Sequence, residues 1–163
     1  MKILHIITGL SGGGTERNLF NICLHDKKNN EHIVISLTGT GKYGKLLKKL
    51  NIETYYFDLR SKAYFFKNIY LIHKLIRLKS PEIIQTWLNH ANLIGGVIAK
   101  FTNHKKIFWN IRHSEFIPEK KKLLSYFIHH INCKLSNWIP NKIICNSYSS
   151  KKYHIKYGYN KKN

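Results

Sequence analysis

Six short apolar runs rich in β-branched residues recur along the chain, each followed by a stretch of helical character. This alternation restricts the possible folds more than any other feature. The runs are Lys2–Thr8, His32–Leu37, Ile52–Asp58, Ile83–Trp87, Lys106–Asn110 and Lys142–Asn146. Each reads as a buried strand of a parallel sheet. The first helix carries an apolar stripe of Leu19, Phe20, Ile22 and Cys23, and a short one covers Lys45–Leu50. Two more cover Ala63–Leu78, stopped by Ser80-Pro81, and Ala91–Phe101. Pro118 opens a long basic helix to about Leu135, and Ser147 caps a last helix that ends near Gly158. Strand and helix in strict alternation predict an α/β domain: a Rossmann-like parallel sheet with helices on both faces. A length of 163 residues allows one such domain with a real core, and not comfortably two.

The first strand runs directly into a glycine loop, Gly9-Leu10-Ser11-Gly12-Gly13-Gly14-Thr15-Glu16-Arg17. Three consecutive glycines leave the backbone free to take φ > 0 and to lie close against another molecule. Thr15 or Ser11 is placed to cap the following helix, and Glu16 suits its first turn. A strand, a glycine loop and a helix N-terminus together let amide N–H groups converge on an anion. A plain strand-to-helix turn, with no ligand, would need only one glycine. In parallel sheets ligands bind outside the carboxyl ends of the strands. The loops that matter are therefore Gly9–Thr15, Thr38–Gly44, Trp87–Asn92, Asn110–Glu115 and Asn146–Ser150.

Lysine and arginine number 28 against 8 aspartates and glutamates, a formal charge of +20. Such an excess attracts polyanions or anionic membrane surfaces. The same lysines, beside abundant Asn, Ile and Tyr, also fit a compositionally biased chain whose lysines are solvated surface. The segment Lys120–Ile128 joins a basic cluster to an apolar helix face and is the candidate for membrane contact. Apolar residues make up 43%, which excludes disorder throughout. Cys23, Cys133 and Cys145 are odd in number, widely spaced and without a Cys-x-x-Cys. That pattern predicts neither a disulfide framework nor a zinc site, and fits free thiols in a reducing cytoplasm. No apolar run has the length of a membrane span. The run after Met1 contains His5 and enters the glycines without a cleavage pattern, so it reads as a strand and not a signal peptide.

Two groups of residues carry candidate chemistry. Gly39-Thr40-Gly41-Lys42-Tyr43-Gly44 is a literal Gly-x-Gly-x-x-Gly between strand and helix, with Asp58 ending the next strand. That is the context of a dinucleotide fingerprint, although the helix after it is barely two turns. Trp87, Asn89, His90 and Asn92 follow the fourth strand. They suit a sugar, with an aromatic face for its C–H surface and amides and imidazole for its hydroxyls. The plain alternative makes Trp87 core packing and Asn89 a helix cap. Arg112, with His113, follows the fifth strand and is a natural partner for phosphate or carboxylate. His129-His130 are not at metal-ligand spacing, and no metal site is expected.

Three stretches resemble a known family. Ile3-Leu4-His5-Ile6-Ile7-Thr8-Gly9-Leu10, followed by Gly13-Gly14-Thr15-Glu16, looks like the amino-terminal signature of the family 4 glycosyltransferases. So do Ile84-Gln85-Thr86-Trp87-Leu88-Asn89-His90-Ala91-Asn92-Leu93-Ile94-Gly95 and Cys145-Asn146-Ser147 with Lys156-Tyr157-Gly158-Tyr159. The resemblance implies the first of two facing Rossmann-like domains, the GT-B fold. It also implies retaining transfer of a sugar from a nucleotide-sugar donor, without metal or other cofactor. By resemblance Gly12, Gly13, Gly14 and Thr15 form the donor-phosphate loop, Thr15 replacing the commoner alanine. Trp87, Asn89, His90, Asn92 and Arg112 fall on the acceptor side, and Arg112 stands where many members carry a histidine. The nucleotide pocket and paired-glutamate motif of the second domain have no counterpart in this sequence.

The resulting expectation is an acceptor-side domain over residues 1–159 with a basic tail at 160–163, inactive in sugar transfer by itself. It would serve bacterial surface-polysaccharide synthesis in the cytoplasm, peripheral to the inner face of the membrane. Its partners would be a nucleotide-sugar donor, once a second domain is present, and a lipid-linked or glycan acceptor. Two rivals stand: a dinucleotide-binding oxidoreductase domain, and a basic module for membranes or nucleic acid. No helix-turn-helix or aromatic RNA-binding signature supports specific nucleic-acid recognition.

Overall fold

The computed structural model describes residues 1–112 and 123–161. His113, Glu115, the helix start at Pro118, the Lys120–Lys122 cluster and the end of the basic tail lie outside the described residues. The elements are β1 (Lys2–Ile7), α1 (Gly14–Asp26), β2 (Glu31–Ser36), α2 (Gly41–Lys49) and β3 (Glu53–Tyr56). A 3-10 turn (Lys62–Tyr64) then leads into α3 (Phe65–Lys79), followed by β4 (Ile83–Trp87) and α4 (Asn89–Phe101). The chain closes with β5 (Ile107–Ile111), α5 (Leu123–Leu135), β6 (Lys142–Cys145) and α6 (Tyr148–Tyr157). The strands form one sheet in the order β3-β2-β1-β4-β5-β6, every neighbouring pair parallel. This is the α/β, Rossmann-like domain that the alternation predicts.

The pleat of β1 divides the core in two. Leu4 and Ile6 pack with Ile72 and Ile76 of α3 and with Ala91, Ile98 and Ala99 of α4. Ile7 points the other way, to Leu19 and Cys23 of α1, Leu47 of α2 and Trp87. Full burial of each aliphatic side chain contributes about 1.5–3 kcal/mol. Helix α4 sits unusually close to the sheet. A Cβ at Gly95 would lie 2.9 Å from Ile6, and one at Gly96 2.7 Å from the Trp109 indole nitrogen. The Gly95-Gly96 pair is what lets the helix dock.

Several local expectations change. Neither Thr15 nor Ser11 caps α1: Gly13 is the N-cap, with no side-chain hydrogen bond, and Thr15 lies in the first turn. None of Gly12, Gly13 or Gly14 takes a positive φ; among glycines only Gly41 and Gly158 do. Helix α2 begins at Gly41, inside the glycine motif, and not at Lys45. Asn89 is not a cap either. Leu88 precedes α4 with φ 75°, a rare conformation for a side-chain-bearing residue. Ser147 does cap α6, accepting from the Ser150 amide at 3.1 Å, and Gly158 closes that helix with φ 112°.

The strand order reverses between β1 and β4, so the carboxyl ends of these two strands flank the switch point where open α/β sheets hold ligands.

Candidate functional site

A cavity of about 590 Å³ opens at this edge, lined by Gly14, Thr15, Arg17, Asn18, Asn21, Arg112 and Asn146. The glycine loop after β1 and Arg112 after β5, separated by almost a hundred residues in sequence, thus border one space. Gly14, Arg17, Asn18 and Asn21 stand at helical spacing on one face of α1, opposite the stripe that buries Leu19 and Cys23. The N-terminus of α1 points its partial positive charge at this edge without a side chain to cap it. Two guanidinium groups and several amides, with no carboxylate among the described residues, suit the lining to anions and polyols.

Arg112 is held from behind. Its guanidinium carbon lies 4.8 Å from the centroid of the Trp87 ring, a cation–π contact. Its Nε is buried and has no hydrogen-bond partner among the described residues. Burial lowers its pKa from the usual range, yet arginine stays charged at neutral pH. Thr8 Oγ1, Asn89 Oδ1 and Asn110 Oδ1 are likewise buried without partners among the described residues. All sit at or just past the carboxyl ends of strands. Such a concentration of unsatisfied groups at one edge marks a place where strain and ligands are found.

Of the acceptor-side residues, His90 and Arg112 are half-buried, while the others lie in the interior. Trp87 is 0% exposed, so it offers no open face to a sugar; its ring lies beneath Arg112 instead. Asn92 is also 0% exposed, accepting from Thr86 Oγ1 at 2.7 Å and donating to the Asn110 carbonyl at 3.4 Å. It ties α4 to β4 and β5. Asn89 is 6% exposed, and its carbonyl accepts from Asn132 Nδ2 at 2.8 Å, joining α4 to α5. Direct contact of Trp87, Asn89 or Asn92 with an acceptor is therefore corrected to a supporting role: these side chains are enclosed by the packing that shapes the edge. Desolvation lowers the pKa of His90, which favours the neutral imidazole.

Behind Trp87 runs a chain of buried hydrogen bonds. The Trp87 indole N–H donates to His5 Nδ1 at 3.3 Å. That fixes the proton of a neutral His5 on Nε2, which lies 3.0 Å from His32 Nδ1. His32 in turn carries its proton on Nε2, 3.1 Å from Asp26 Oδ2. Every donor meets an acceptor along the series Trp87, His5, His32, Asp26. Burial holds His5 down to about pKa 3, so both protons are set by this chain and not by solvent. Ligand atoms of His5, His32 and buried Cys23 lie within 4.8 Å of one another. The two facing ring nitrogens already share a proton, however, and burial pushes the Cys23 thiol up to about 12. This donor set fits a proton better than a metal ion.

The glycine motif at Gly39–Gly44 has a different occupation. The amides of Lys42 and Tyr43 donate to the carbonyls of Ser11 and Leu10 at 3.3 and 2.9 Å. A Cβ on Gly41 would fall 2.2 Å from the Leu10 carbonyl oxygen. The motif clamps the base of the first glycine loop, and those amides are not free for phosphate. Asp58 is taken by Arg60, through Nε at 2.9 Å and Nη2 at 3.0 Å. Both supports of the dinucleotide reading thus serve the protein itself.

Arg17, Asn18, Asn21 and Asn146 are absent from the sequence-derived site. For the three on α1 the signal was present as a stripe at 14, 17, 18 and 21, the complement of the apolar stripe on the same helix, and Asn146 opens a loop already marked at the sheet edge.

No protein-family model and no curated protein sequence matches the chain. Solved structures do. The Anabaena protein HepE, solved with UDP, matches at TM-score 0.78 with 16% identity, over 99% of this chain and 42% of that one. The lipopolysaccharide outer core galactosyltransferase WaaB matches at TM-score 0.65 with 16% identity, over 98% and 43%. MurG from Acinetobacter baumannii matches at TM-score 0.60 with 13% identity, over 88% and 40%. The fold is that of one Rossmann-like half of these GT-B molecules, and the chain spans about two fifths of their length.

Proposed function

We propose that the chain is the acceptor-side domain of a retaining, nucleotide-sugar-dependent glycosyltransferase of family 4, serving bacterial surface-polysaccharide synthesis. One observation carries this reading: the start of α1, Arg17 and Arg112 border one cavity at the sheet's switch point, with no carboxylate in its lining among the described residues. Such a lining stabilises negative charge, and the diphosphate of a departing nucleotide is where charge develops in sugar transfer. The nearby folds support the donor class, since HepE was solved with UDP and with UDP and glucose.

The Gly12–Thr15 loop takes the donor phosphates, Arg112 answers them from across the cavity, and His90 stands on the acceptor side. Among the described residues the lining offers guanidinium and amide groups, so what it contributes is positioning and electrostatics. The paired groups that complete the reaction belong to a second domain, and the 163-residue chain alone does not transfer sugar. Attachment to the anionic inner leaflet belongs to the same proposal and follows from the charge of +20. Among the described residues no helix is long and apolar enough to cross a membrane.

Titration calorimetry with UDP tests the reading. The expected result is weak, salt-sensitive binding that Arg112→Ala abolishes without lowering the melting temperature. Binding indifferent to Arg112→Ala, or tighter binding of a nicotinamide dinucleotide, contradicts it.

A further inference from the structure

The proposed function leaves two imidazoles deep in the core without a task. His5 is 1% and His32 3% exposed. Burying polar rings where aliphatic side chains would pack costs free energy unless their nitrogens find partners. Here they do, because both rings belong to one series. It runs from the Trp87 indole through His5 and His32 to Asp26, with donor–acceptor distances of 3.3, 3.0 and 3.1 Å. The far end is itself fixed, since Asp26 also accepts from Asn30 Nδ2 at 2.7 Å and from Asn29 Nδ2 at 3.4 Å. Gln85 is a further polar neighbour, opposite His5 in the register of β1 and β4.

The near end of the series lies beneath the cavity. Arg112 lines that cavity with its guanidinium carbon 4.8 Å from the Trp87 ring centroid, and its Nε–H has no hydrogen-bond partner among the described residues. The pose of the guanidinium therefore follows the pose of the ring. The apolar cluster around the ring is largely aliphatic and includes Ile7, Leu10, Leu19, Val34 and Leu47. Such contacts are non-directional, and the torsion that turns an indole about its Cβ–Cγ bond is broad. The N–H···Nδ1 bond to His5 is the directional contact that selects one ring orientation. A buried indole N–H deprived of its acceptor turns toward another partner or admits water.

We infer that His5 is a positioning residue for Arg112, with His32 and Asp26 behind it. The series fixes the Trp87 ring, and the ring fixes the guanidinium over the cavity. Helix α1 then serves the site at both ends: Gly14 and Thr15 line the cavity, and Asp26, its last residue, anchors the series. Two buried histidines, which add nothing that aliphatic packing would not supply to the core, gain a purpose in holding one side chain at the edge of the sheet. The pose of Arg112 stands on this geometry alone, and its consequence for a bound nucleotide rests on the proposed function.

The experiment compares His5→Leu, His5→Gln and Ile76→Ala in the whole chain. His5→Leu removes the acceptor of the indole N–H. His5→Gln restores one, since its amide carbonyl can accept from the indole while its NH2 donates to His32. Ile76→Ala opens the core on the other face of the sheet and lowers stability without touching the series. Two readouts are taken on each variant: the NMR shifts of the Arg112 side-chain protons, which the Trp87 ring current displaces, and the affinity for UDP. His5→Leu is expected to return the Arg112 shifts toward those of an arginine away from any ring. It is expected to weaken UDP binding about two- to thirtyfold, the span of a cation–π contact. His5→Gln should recover both, and Ile76→Ala should change neither. If His5→Leu does not fold, Asp26→Ala at the partly exposed end of the series takes its place, with smaller changes expected in the same direction. Unchanged Arg112 shifts in the variant that breaks the series, equal changes in Ile76→Ala, or no recovery in His5→Gln overturn the inference. Arg112 shifts that follow the series in a chain that binds no UDP leave the positioning standing and overturn the nucleotide reading, so the two failures are told apart.

Discussion

Arg112 joins the two halves of the candidate site, and its surroundings say what a substitution does. The guanidinium carbon lies 4.8 Å from the Trp87 ring centroid, and the buried Nε–H has no partner among the described residues. Arg112→Lys retains the positive charge but loses the planar fork that faces the cavity. It is expected to cost about 1.5–3 kcal/mol of UDP binding, the range for a hydrogen bond to a charged group. Calorimetry checks this, and wild-type affinity in the lysine variant would reduce Arg112 to a point charge. The glycines differ sharply from one another. Gly41 has φ 52°, and an added Cβ would meet the Leu10 carbonyl oxygen at 2.2 Å. Gly41→Ala therefore destabilises the fold by about 3 kcal/mol or more, the magnitude of backbone strain joined to a steric clash. Urea unfolding measures it. Around Gly14 an added Cβ meets nothing within 4 Å. Gly14→Ala should fold like the parent, which makes that loop the place where a functional role can be tested without a folding artefact.

At the scale of elements, the chain of hydrogen bonds from Trp87 to Asp26 links β4, β1, β2 and the end of α1. It gives the domain an acid-sensitive seam. His5 is held at about pKa 3 by burial, against 6.5 when unfolded, and burial lowers His32 as well. The unfolded chain therefore binds protons that the native chain refuses. The stability from neutral His5 is fully present above pH 6.5 and is lost as pH falls toward about 3. The loss runs at about 1.4 kcal/mol per pH unit for one such group. His5→Leu should be less stable at neutral pH, because the Trp87 N–H loses its acceptor, yet show a shallower acid limb. Urea midpoints across that pH range decide it, and an unchanged slope would assign the limb to other groups. Most of this layout was legible beforehand. Apolar runs rich in β-branched residues marked all six strands, and their parallel pairing followed from the alternation, while their order in the sheet did not. The relay was not, because His5 and His32 lie on different strands and meet only through register, His32 beside Ile3 and His5 beside Val34. The burial of Asn92 was illegible for the same reason, whereas core packing of Trp87 stood in the sequence as the plainer of two readings. Residue types that suit a sugar also suit a polar core, and only packing separates the two. The Gly39–Gly44 motif misled because its spacing is indifferent to whether its amides meet a phosphate or a neighbouring carbonyl.

At the scale of the whole molecule, the proposed function makes the domain one wall of a cleft. Its cavity is open, and the proposed chemistry needs groups that face it from a second domain. The purified chain should therefore turn over no nucleotide sugar, as a coupled assay for released nucleoside diphosphate would show. Robust turnover would mean that the cavity lining is sufficient by itself. The sharper test joins the chain to a compatible carboxyl-terminal domain that restores transfer and then replaces Gly14 by Val. The backbone there has no positive φ, and the added side chain begins in open space, so the fold has no reason to suffer. The same open space is where a diphosphate would approach the start of α1. A branched side chain holds the phosphates away from the first-turn amides just as the leaving group gains charge. Loss of one such donor costs about 3 kcal/mol of barrier, on the order of a hundredfold or more in rate. The expected outcome is a large fall in kcat with an unchanged melting temperature. If the loop is only a turn between β1 and α1, rate and melting temperature move together and by little. Measuring both on one variant separates a wall that merely closes the domain from one that holds the departing nucleotide.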